Sequence, residues 1–285
     1  MTMTELSPEH GALGKKCWVM LETLHTTAYF APEPTAAYKA LGLRGRDGYF
    51  ASRVAPMGAV PPEVCVATFY VFAPVLVKAA LPAAWQTAGV EQVLGARHAG
   101  VAATLHGALG EPDVTEALEL TRQATTGLTP EGRALYAGHA ALPWPDNPLL
   151  ALWHASSLLR EHRGDGHVAA LVQAGLDPVE AIITWGTAVG ALDFMKLTRG
   201  WTEQEWAAGE ERLRARGVLD DAGALTEEGM ALRGRVEAQT DAAALDGWAA
   251  LGEPGCARLL DLLRPLRQQL MDSDVFPEWY PGRRR

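Results

Sequence analysis

The fold of this chain is decided by the stretch Val218-Leu219-Asp220-Asp221-Ala222-Gly223-Ala224-Leu225-Thr226. Two short apolar pairs flank a turn rich in Asp and Gly, which is the pattern of a tight β-hairpin. Helical patterns precede the hairpin at 191–198 and 202–216, joined by Arg199-Gly200-Trp201, and another helical pattern follows from Met230. A helix-turn-helix followed by a small hairpin predicts a winged helix.

The remainder of the chain is rich in Ala, Leu, Glu and Arg and has few β-branched runs, a composition that favours helix. Helices are predicted at 90–109 and 113–127, and the proline-rich segment 143–148 predicts a rigid linker in which Asn147 caps the next helix. We therefore predict a mainly α protein with a winged-helix region and a small β-wing. The predicted segments are a helical half at 1–142, a second helical half at 143–190, and the winged-helix region with a C-terminal helix at 191–285.

Composition argues against several classes of partner. A net charge of −9 provides no general attraction to nucleic acid or to an anionic membrane. The three cysteines, Cys17, Cys65 and Cys256, form no CxxC pair and are expected to be buried thiols in a reducing compartment.

No apolar run reaches the ~18 residues of a spanning helix, and the first ten residues lack the apolar core of a signal peptide. We expect a cytoplasmic protein without a membrane partner.

Two resemblances follow from particular motifs. Leu225-Thr226-Glu227-Glu228-Gly229 resembles the Leu-Thr-x-x-Gly that follows the wing in MarR-type winged-helix proteins. Over almost its whole length the chain also resembles a helix-turn-helix-like family of high-GC bacteria. The motifs that carry this second resemblance are Leu24-His25 with Tyr29-Phe30, Gly48-Tyr49-Phe50 with Arg53, and Arg160 through His167. The family resemblance implies an architecture and no activity, and the MarR-type resemblance implies a homodimer.

The charges of the predicted recognition helix argue against DNA binding. Between residues 202 and 229, eight acidic residues oppose three arginines, and the N-terminal half of the helix is the acidic part. Asp220 and Asp221 lie in the wing, where MarR-type proteins generally present arginine to the minor groove. Such a surface repels phosphates. We expect nucleic acid not to be a partner, and the winged helix to serve in packing or dimerisation.

A dense group of ionisable residues is Arg160-Glu161-His162-Arg163-Gly164-Asp165-Gly166-His167, with six ionisable side chains around two glycines. It follows the apolar helical pattern Leu149–Leu159, so these charges have to be solvated, paired with one another or used. Pairing of Arg160 with Glu161 and of Arg163 with Asp165 at a helix junction is the structural alternative to a functional role. Gly164 is expected to end the helix in the left-handed conformation, and Asp165 to cap the next helix.

Within this region we predict His167, Glu161 and His154 as catalytic residues. His154 and Glu161 fall on one face of the predicted helix. His167 would lie in the first turn of the next helix, where the helix dipole favours the neutral imidazole. A neutral imidazole beside a carboxylate can act as a general base or a metal ligand. A core histidine bonded to a backbone carbonyl is the alternative for His154.

Comparison of the two halves adds the predicted ligand-binding residues. The segment Arg46–Ala51 resembles Gly164–Ala169, which indicates either a degenerate internal duplication with two facing Asp-Gly turns or chance similarity in an Ala-rich chain. A pocket between the halves would collect His25, Tyr29, Tyr49, Arg53 and Arg160. Aromatic walls with a few polar groups are typical of a small-molecule site, and arginine suits a carboxylate or another anion.

The sequence thus predicts a protein that binds a small organic molecule, which can be anionic, and that could act on it by acid–base chemistry. Whether the protein is an enzyme stays open, and a ligand-responsive MarR-like transcriptional regulator is the alternative. A metal site from His25, His154, His167 and Glu161 is a further hypothesis, although no HExxH or comparable ligand pair occurs. Haem ligation by one histidine would leave no sequence signature, so the cofactor is unassigned.

Overall fold

The computed structural model describes residues 7–278 and Tyr280, and its architecture is built from α-helices. In chain order these are α1 (Pro8–His25), α2 (Thr27–Phe30), α3 (Pro32–Ala40), α4 (Asp47–Val54), α5 (Pro62–Phe69), α6 (Pro74–Thr87), α7 (Val90–Leu109), α8 (Thr115–Thr125), α9 (Ala134–Ala140), α10 (Pro148–Gln173), α11 (Pro178–Val189), α12 (Leu192–Arg199), α13 (Glu203–Ala215), α14 (Glu227–Ala242) and α15 (Leu245–Asp272). The prediction of a mainly α protein is confirmed.

Local sequence signals explain where several helices begin. The side chain of Asn147 accepts the N–H of Leu150 at 3.0 Å, and Pro148 occupies the first turn, where its missing N–H costs nothing. Thr202 and Glu205 form a capping box at the start of α13, after Gly200 has ended α12 with a φ of 77°. The predicted helix-turn-helix therefore forms from its own caps.

Helix α10 passes through the whole segment Arg160–His167 without interruption. The predictions that Gly164 ends a helix and that Asp165 caps the next one are therefore wrong. The second Asp-Gly segment is not a turn, in contrast to the first, where Asp47 opens α4. The two segments that suggested an internal duplication thus have different local structures.

Tertiary contacts explain why Asp165 and Gly166 lie inside α10. A Cβ atom at Gly166 would lie 2.7 Å from Nη1 of Arg133, so the glycine leaves room for that guanidinium. Arg133 donates to the carbonyl oxygen of His162. Asp165 accepts the backbone N–H of Tyr136 at 3.0 Å, and it thereby caps α9, which is remote from it in the chain.

The predicted β-wing is not present as strands. Within the part of the chain that the structure describes, the hairpin amounts to one antiparallel bridge between Leu219 and Leu225, and no β-strand is formed. Thr226 already accepts the N–H of Gly229 as the N-cap of α14. The C-cap of α13, Arg216, and the N-cap of α14, Thr226, occupy the two ends of the segment between these helices.

The core brings distant parts of the chain together. Helix α1 packs along α15 and α10, and the Cβ that Gly14 lacks would lie 2.4 Å from the ring of Trp248. One hydrophobic cluster contains Leu21, Trp153 and Leu259, so residues of all three predicted segments share it. A separate cluster joins α11 to α14, with Ile183, Trp206 and Leu213 among its members.

In the described residues, no helix alone combines the length and the apolar character needed to cross a bilayer. Helices α10 and α11 meet that criterion as a pair bent by 108°.

Candidate functional site

A cleft of about 450 Å³ lies between α1, α2, α11, α12 and α15. A neighbouring pocket of about 330 Å³ shares part of its wall, and we call the two together the aromatic cleft. Residues common to both parts are Tyr29, Phe30, Tyr49, Phe194 and Arg199. The larger part is completed by Trp18, Val19, Glu22, Thr23, Thr26, Arg160, Trp185, Met195, Arg267 and Tyr280.

The wall of the cleft carries more cations than anions. Arg160, Arg199 and Arg267 line the larger part, and Arg46 and Arg199 line the smaller part. Among the described residues, Glu22 is the one carboxylate in either wall. This surplus of positive charge contrasts with the net charge of −9 for the whole chain.

A buried hydrogen-bond network lies directly behind this wall. Nε2 of His25 lies 2.7 Å from the hydroxyl oxygen of Tyr29, and its Nδ1 lies 2.9 Å from Oγ of Ser157. The hydroxyl of Tyr29 is also 3.4 Å from Oε1 of Glu161. Of this network, Tyr29 reaches the cleft, while His25, Ser157 and Glu161 are enclosed by α1 and α10.

Arg160 compensates the buried charge of Glu161. Its Nη1 donates to Oε2 of Glu161 at 2.6 Å, and its Nε lies 3.7 Å from Oε2 of Glu22. Burial would raise the pKa of Glu161, but the guanidinium of Arg160, aided by Arg53, outweighs it and lowers that pKa below its ordinary value. Glu161 is therefore a carboxylate in a site that excludes water.

Burial shifts the other groups of the network toward their neutral forms. Desolvation lowers the pKa of His25, and the positive charge of Arg160 lowers it further. Desolvation raises the pKa of Tyr29 to about 12 and raises that of Glu22 above its ordinary value. At neutral pH the buried network therefore holds a neutral imidazole and a neutral phenol beside the ionised carboxylate of Glu161.

Arg53 lies behind the cleft among aromatic rings. Its guanidinium carbon is 4.3 Å from the ring centroid of Phe69 and 5.4 Å from that of Tyr29, and Nη1 donates to the hydroxyl of Tyr49 at 3.1 Å. The side chain is almost fully buried, and Nε has no hydrogen-bond partner. The structure thus brings together all five predicted ligand-binding residues, with Tyr29, Tyr49 and Arg160 in the wall of the cleft and His25 and Arg53 buried behind it.

The predicted catalytic residues His154 and His167 lie elsewhere on α10. The ring of His154 packs edge-on against Trp144, with centroids 4.9 Å apart, and burial lowers its pKa to about 4. Nδ1 of His167 lies 2.9 Å from Oγ1 of Thr240, and burial lowers the pKa of His167 to about 4 as well. No hydrogen bond or ion pair among the described residues joins either histidine to Glu161, so the predicted catalytic group is not assembled.

The same dispersal affects the metal hypothesis. His25 contacts Glu161 at 3.7 Å, while His154 and His167 bind other elements. Within residues 7–278 and Tyr280, no group of three or more His, Cys, Asp or Glu side chains is placed to hold a metal ion. The ligand set considered from sequence is therefore not formed.

Several cleft residues were missed by the sequence analysis. Phe194 and Arg199 belong to the first helix of the helix-turn-helix, Trp185 precedes it on α11, and Trp18 lies on α1. Their aromatic and cationic character was visible in the sequence, but their shared location depends on the tertiary fold, which places α12 across the cleft from α1. The signal in the sequence is an aromatic residue and an arginine within one predicted helix, as Phe194 and Arg199 are in α12.

The arginines of the second helix, α13, are paired within the protein. Arg212 contacts Asp177 and, through Nε, lies 3.1 Å from Oε1 of Glu180, and Nη1 of Arg216 lies 2.9 Å from the other oxygen of Glu180. Arg214 pairs with Glu210 on its own helix at 3.0 Å. Arg212 and Arg216 thus hold the end of α13 onto α11, and the exposed start of α13 presents Glu203 and Glu205.

The architecture defines a helical protein that contains a helix-turn-helix and an aromatic, cation-lined cleft. The chain belongs to a helix-turn-helix family, whose family model matches residues 14–277. Among curated proteins and solved structures, none matches the chain.

Proposed function

We propose that this protein binds a small organic molecule in the aromatic cleft, and that its helix-turn-helix forms one wall of that site. The cleft of about 450 Å³ is the observation that carries the proposal, because its size and its aromatic lining are typical of small-molecule sites. Buried polar atoms in its wall support the proposal, since Nε1 of Trp18 and Nε of Arg199 have no hydrogen-bond partner. A ligand with polar groups would satisfy them.

The proposal is for binding and assigns no reaction. His154 and His167 do not contact the cleft, so acid–base chemistry through them is not part of it. Tyr29 connects the cleft to the buried network, and Glu161 and His25 position it from behind. Arg160 belongs to the cleft wall and compensates Glu161.

A ligand-responsive regulator of the MarR type, acting as a homodimer, is the second candidate. Membership of a helix-turn-helix family favours it, and so does the position of Phe194 and Arg199, which would let a ligand touch the first helix of that motif. Its weakness is the charge of α13, whose arginines are already paired with acids. Phosphate binding requires cations that are available to the nucleic acid.

Filling the cleft tests the first proposal. Val19 lines the cleft and is 40% exposed, so Val19→Trp should block the larger part without disturbing the core. The matched control is Val172→Trp, at a site that is 59% exposed on α10 and outside the cleft. With 2-naphthamide as a neutral aromatic probe in ligand-observed NMR, we expect binding to the wild type and to the control, and its loss in Val19→Trp. Equal binding to both variants would refute a site in the cleft.

A second experiment separates the two candidates. Fluorescence anisotropy with a labelled random-sequence duplex at low salt measures electrostatic binding, which does not depend on sequence. We expect no saturable signal. Saturable binding that weakens steeply as salt is added would favour the regulator.

A further inference from the structure

We infer that the ligand of the aromatic cleft is a flat aromatic molecule with a single carboxylate, which the guanidinium of Arg199 holds where the two parts of the cleft meet. This inference rests on the proposed function and adds the chemical class and the orientation of the ligand.

Arg199 has the position that such a role requires. It is one of the five residues that line both parts of the aromatic cleft, and it is the cation among them. Its guanidinium lies 4.6 Å from the ring centroid of Phe72, and Nη1 donates to Oγ1 of Thr198 at 2.8 Å. These contacts fix the orientation of the guanidinium, and Nε is left without a hydrogen-bond partner.

The charge of Arg199 is not balanced by the described part of the protein. No carboxylate among the described residues forms an ion pair with it, whereas Arg160 in the same wall has both Glu161 and Glu22. Burial lowers the pKa of Arg199, and the nearby cations Arg53 and Arg46 lower it further. Desolvation of a cation beside other cations is costly even where an aromatic ring lies under it, and an anionic ligand would offset that cost.

Helix geometry favours one negative charge over two. Arg199 is the last residue of α12, and the carbonyl end of a helix carries partial negative charge. A phosphate dianion is bound best at the opposite end of a helix, where free N–H groups point at it. A carboxylate carries a single charge and matches the planar fork of a guanidinium with two parallel hydrogen bonds.

The remainder of the wall favours a flat aromatic body. Tyr29 and Tyr49 line both parts of the cleft, and Phe72 lies under the guanidinium in the smaller part. Aromatic rings pack on such surfaces in offset or edge-on arrangements, which add to the energy of apolar burial. The ring system would therefore lie against these side chains with its carboxylate directed at Arg199.

The test compares two probes of nearly the same shape, 2-naphthoate and its uncharged amide, 2-naphthamide, by isothermal titration calorimetry. We expect wild-type protein to bind the carboxylate at least roughly tenfold more tightly, as one charge-assisted pair with a guanidinium implies. Arg199→Gln should remove this preference while leaving the affinity for the amide unchanged. Arg199→Lys keeps the positive charge but loses the two parallel N–H groups of the guanidinium, so it should retain part of the preference for the carboxylate.

The control variant is Arg235→Gln, at an exposed arginine that pairs with Glu228 at 2.7 Å outside the cleft. It should keep the full preference for the carboxylate. Equal affinities of wild-type protein for the two probes would overturn the inference and leave the proposed function standing, provided that Val19→Trp abolishes binding of the amide. Failure of both probes to bind would overturn both. A preference that survives in Arg199→Gln would overturn the assignment to Arg199.

Discussion

The hydroxyl oxygen of Tyr29 lies 2.7 Å from Nε2 of His25, and the same hydroxyl lies 3.4 Å from Oε1 of Glu161. On the other side of the imidazole, Nδ1 of His25 lies 2.9 Å from Oγ of Ser157, which is itself 3.0 Å from the carbonyl oxygen of Trp153. Burial lowers the pKa of His25, so the imidazole is neutral and can donate at one nitrogen and accept at the other. These contacts hold the phenol of Tyr29 at the wall of the cleft.

Loss of the buried carboxylate should destabilise the fold. Glu161→Gln keeps the shape of the side chain but removes the negative charge that compensates Arg160 at 2.6 Å. Removal of one partner from a buried ion pair costs about 3 kcal/mol, and we expect the free energy of unfolding in urea to fall by that amount. Asp261→Asn is the control, because Asp261 pairs with Arg264 on the exposed surface, where such a pair contributes less than ~1 kcal/mol. Equal losses in the two variants would contradict the prediction.

Buried histidines should make the protein sensitive to acid. Burial lowers the pKa of His139 to about 3 and that of His154 to about 4, whereas a histidine in the unfolded chain titrates near about 6.5. As the pH falls below about 6.5, these histidines become protonated in the unfolded chain but not in the folded protein. The folded protein is therefore most stable above this pH, and its free energy of unfolding decreases on acidification. Between its folded and unfolded pKa values, each such histidine changes the free energy of unfolding by roughly 1.4 kcal/mol per pH unit. Urea unfolding at several pH values measures this slope.

Asp165 works in the opposite direction, and His162 isolates the effect of a single histidine. Burial raises the pKa of Asp165 to about 6, so the folded state gains stability from this one carboxyl as the pH falls through that value. The ring of His162 packs on Tyr136, neither ring nitrogen has a hydrogen-bond partner, and burial lowers its pKa to about 3. His162→Leu should therefore flatten the pH profile with little effect at neutral pH, and an unchanged slope would count against the prediction.

The parts of the fold that could be predicted depend on short-range chemistry. Asn147 before Pro148 and Thr202 three residues before Glu205 specify helix starts through contacts within one turn. The predicted turn at Asp165-Gly166 is wrong because the glycine makes room for the guanidinium of Arg133, which comes from another part of the chain. No local pattern contains that contact.

The candidate site was predictable to a similar extent. Glu161 was singled out because ionisable residues follow an apolar helical pattern, and His25 and Tyr29 through the comparison of the two halves. The structure places the three within hydrogen-bond or ion-pair distance of one another. From sequence, Arg199 was assigned only to a turn between two helices. It lines the same pocket as Tyr49, and this proximity arises from the tertiary packing of α12. Side chains that meet only through tertiary packing have no characteristic spacing in the sequence by which they could be recognised.

Close packing of α7 on α3 should make two glycines of the same helix respond in opposite ways. A Cβ atom at Gly100 would lie 2.5 Å from the backbone Cα of Pro34, which cannot move aside, so Gly100→Ala should cost about 2 kcal/mol of unfolding free energy. Gly95 is exposed with open space around its Cα, and Gly95→Ala should stabilise the protein by up to ~1 kcal/mol through helix propensity. Thermal unfolding of the two variants measures the contrast, and a neutral Gly100→Ala would exclude this contact.

The arginines of α13 should prove structural. Glu180 is buried and accepts Nε of Arg212 at 3.1 Å and Nη1 of Arg216 at 2.9 Å, so the double variant Arg212→Gln with Arg216→Gln leaves its carboxylate without a guanidinium. We expect a loss of roughly 2 kcal/mol in urea unfolding, since hydrogen bonds to a buried charge are lost.

The matched control for this double variant removes the same charge from two exposed pairs, Arg235→Gln with Arg264→Gln, and should change stability by less than ~1 kcal/mol. If Arg212 and Arg216 were instead free to bind phosphates, their substitution would break no contact within the protein. Both double variants would then leave the free energy of unfolding unchanged. A measured difference would therefore assign Arg212 and Arg216 to the junction of α11 and α13, where they are not available to nucleic acid.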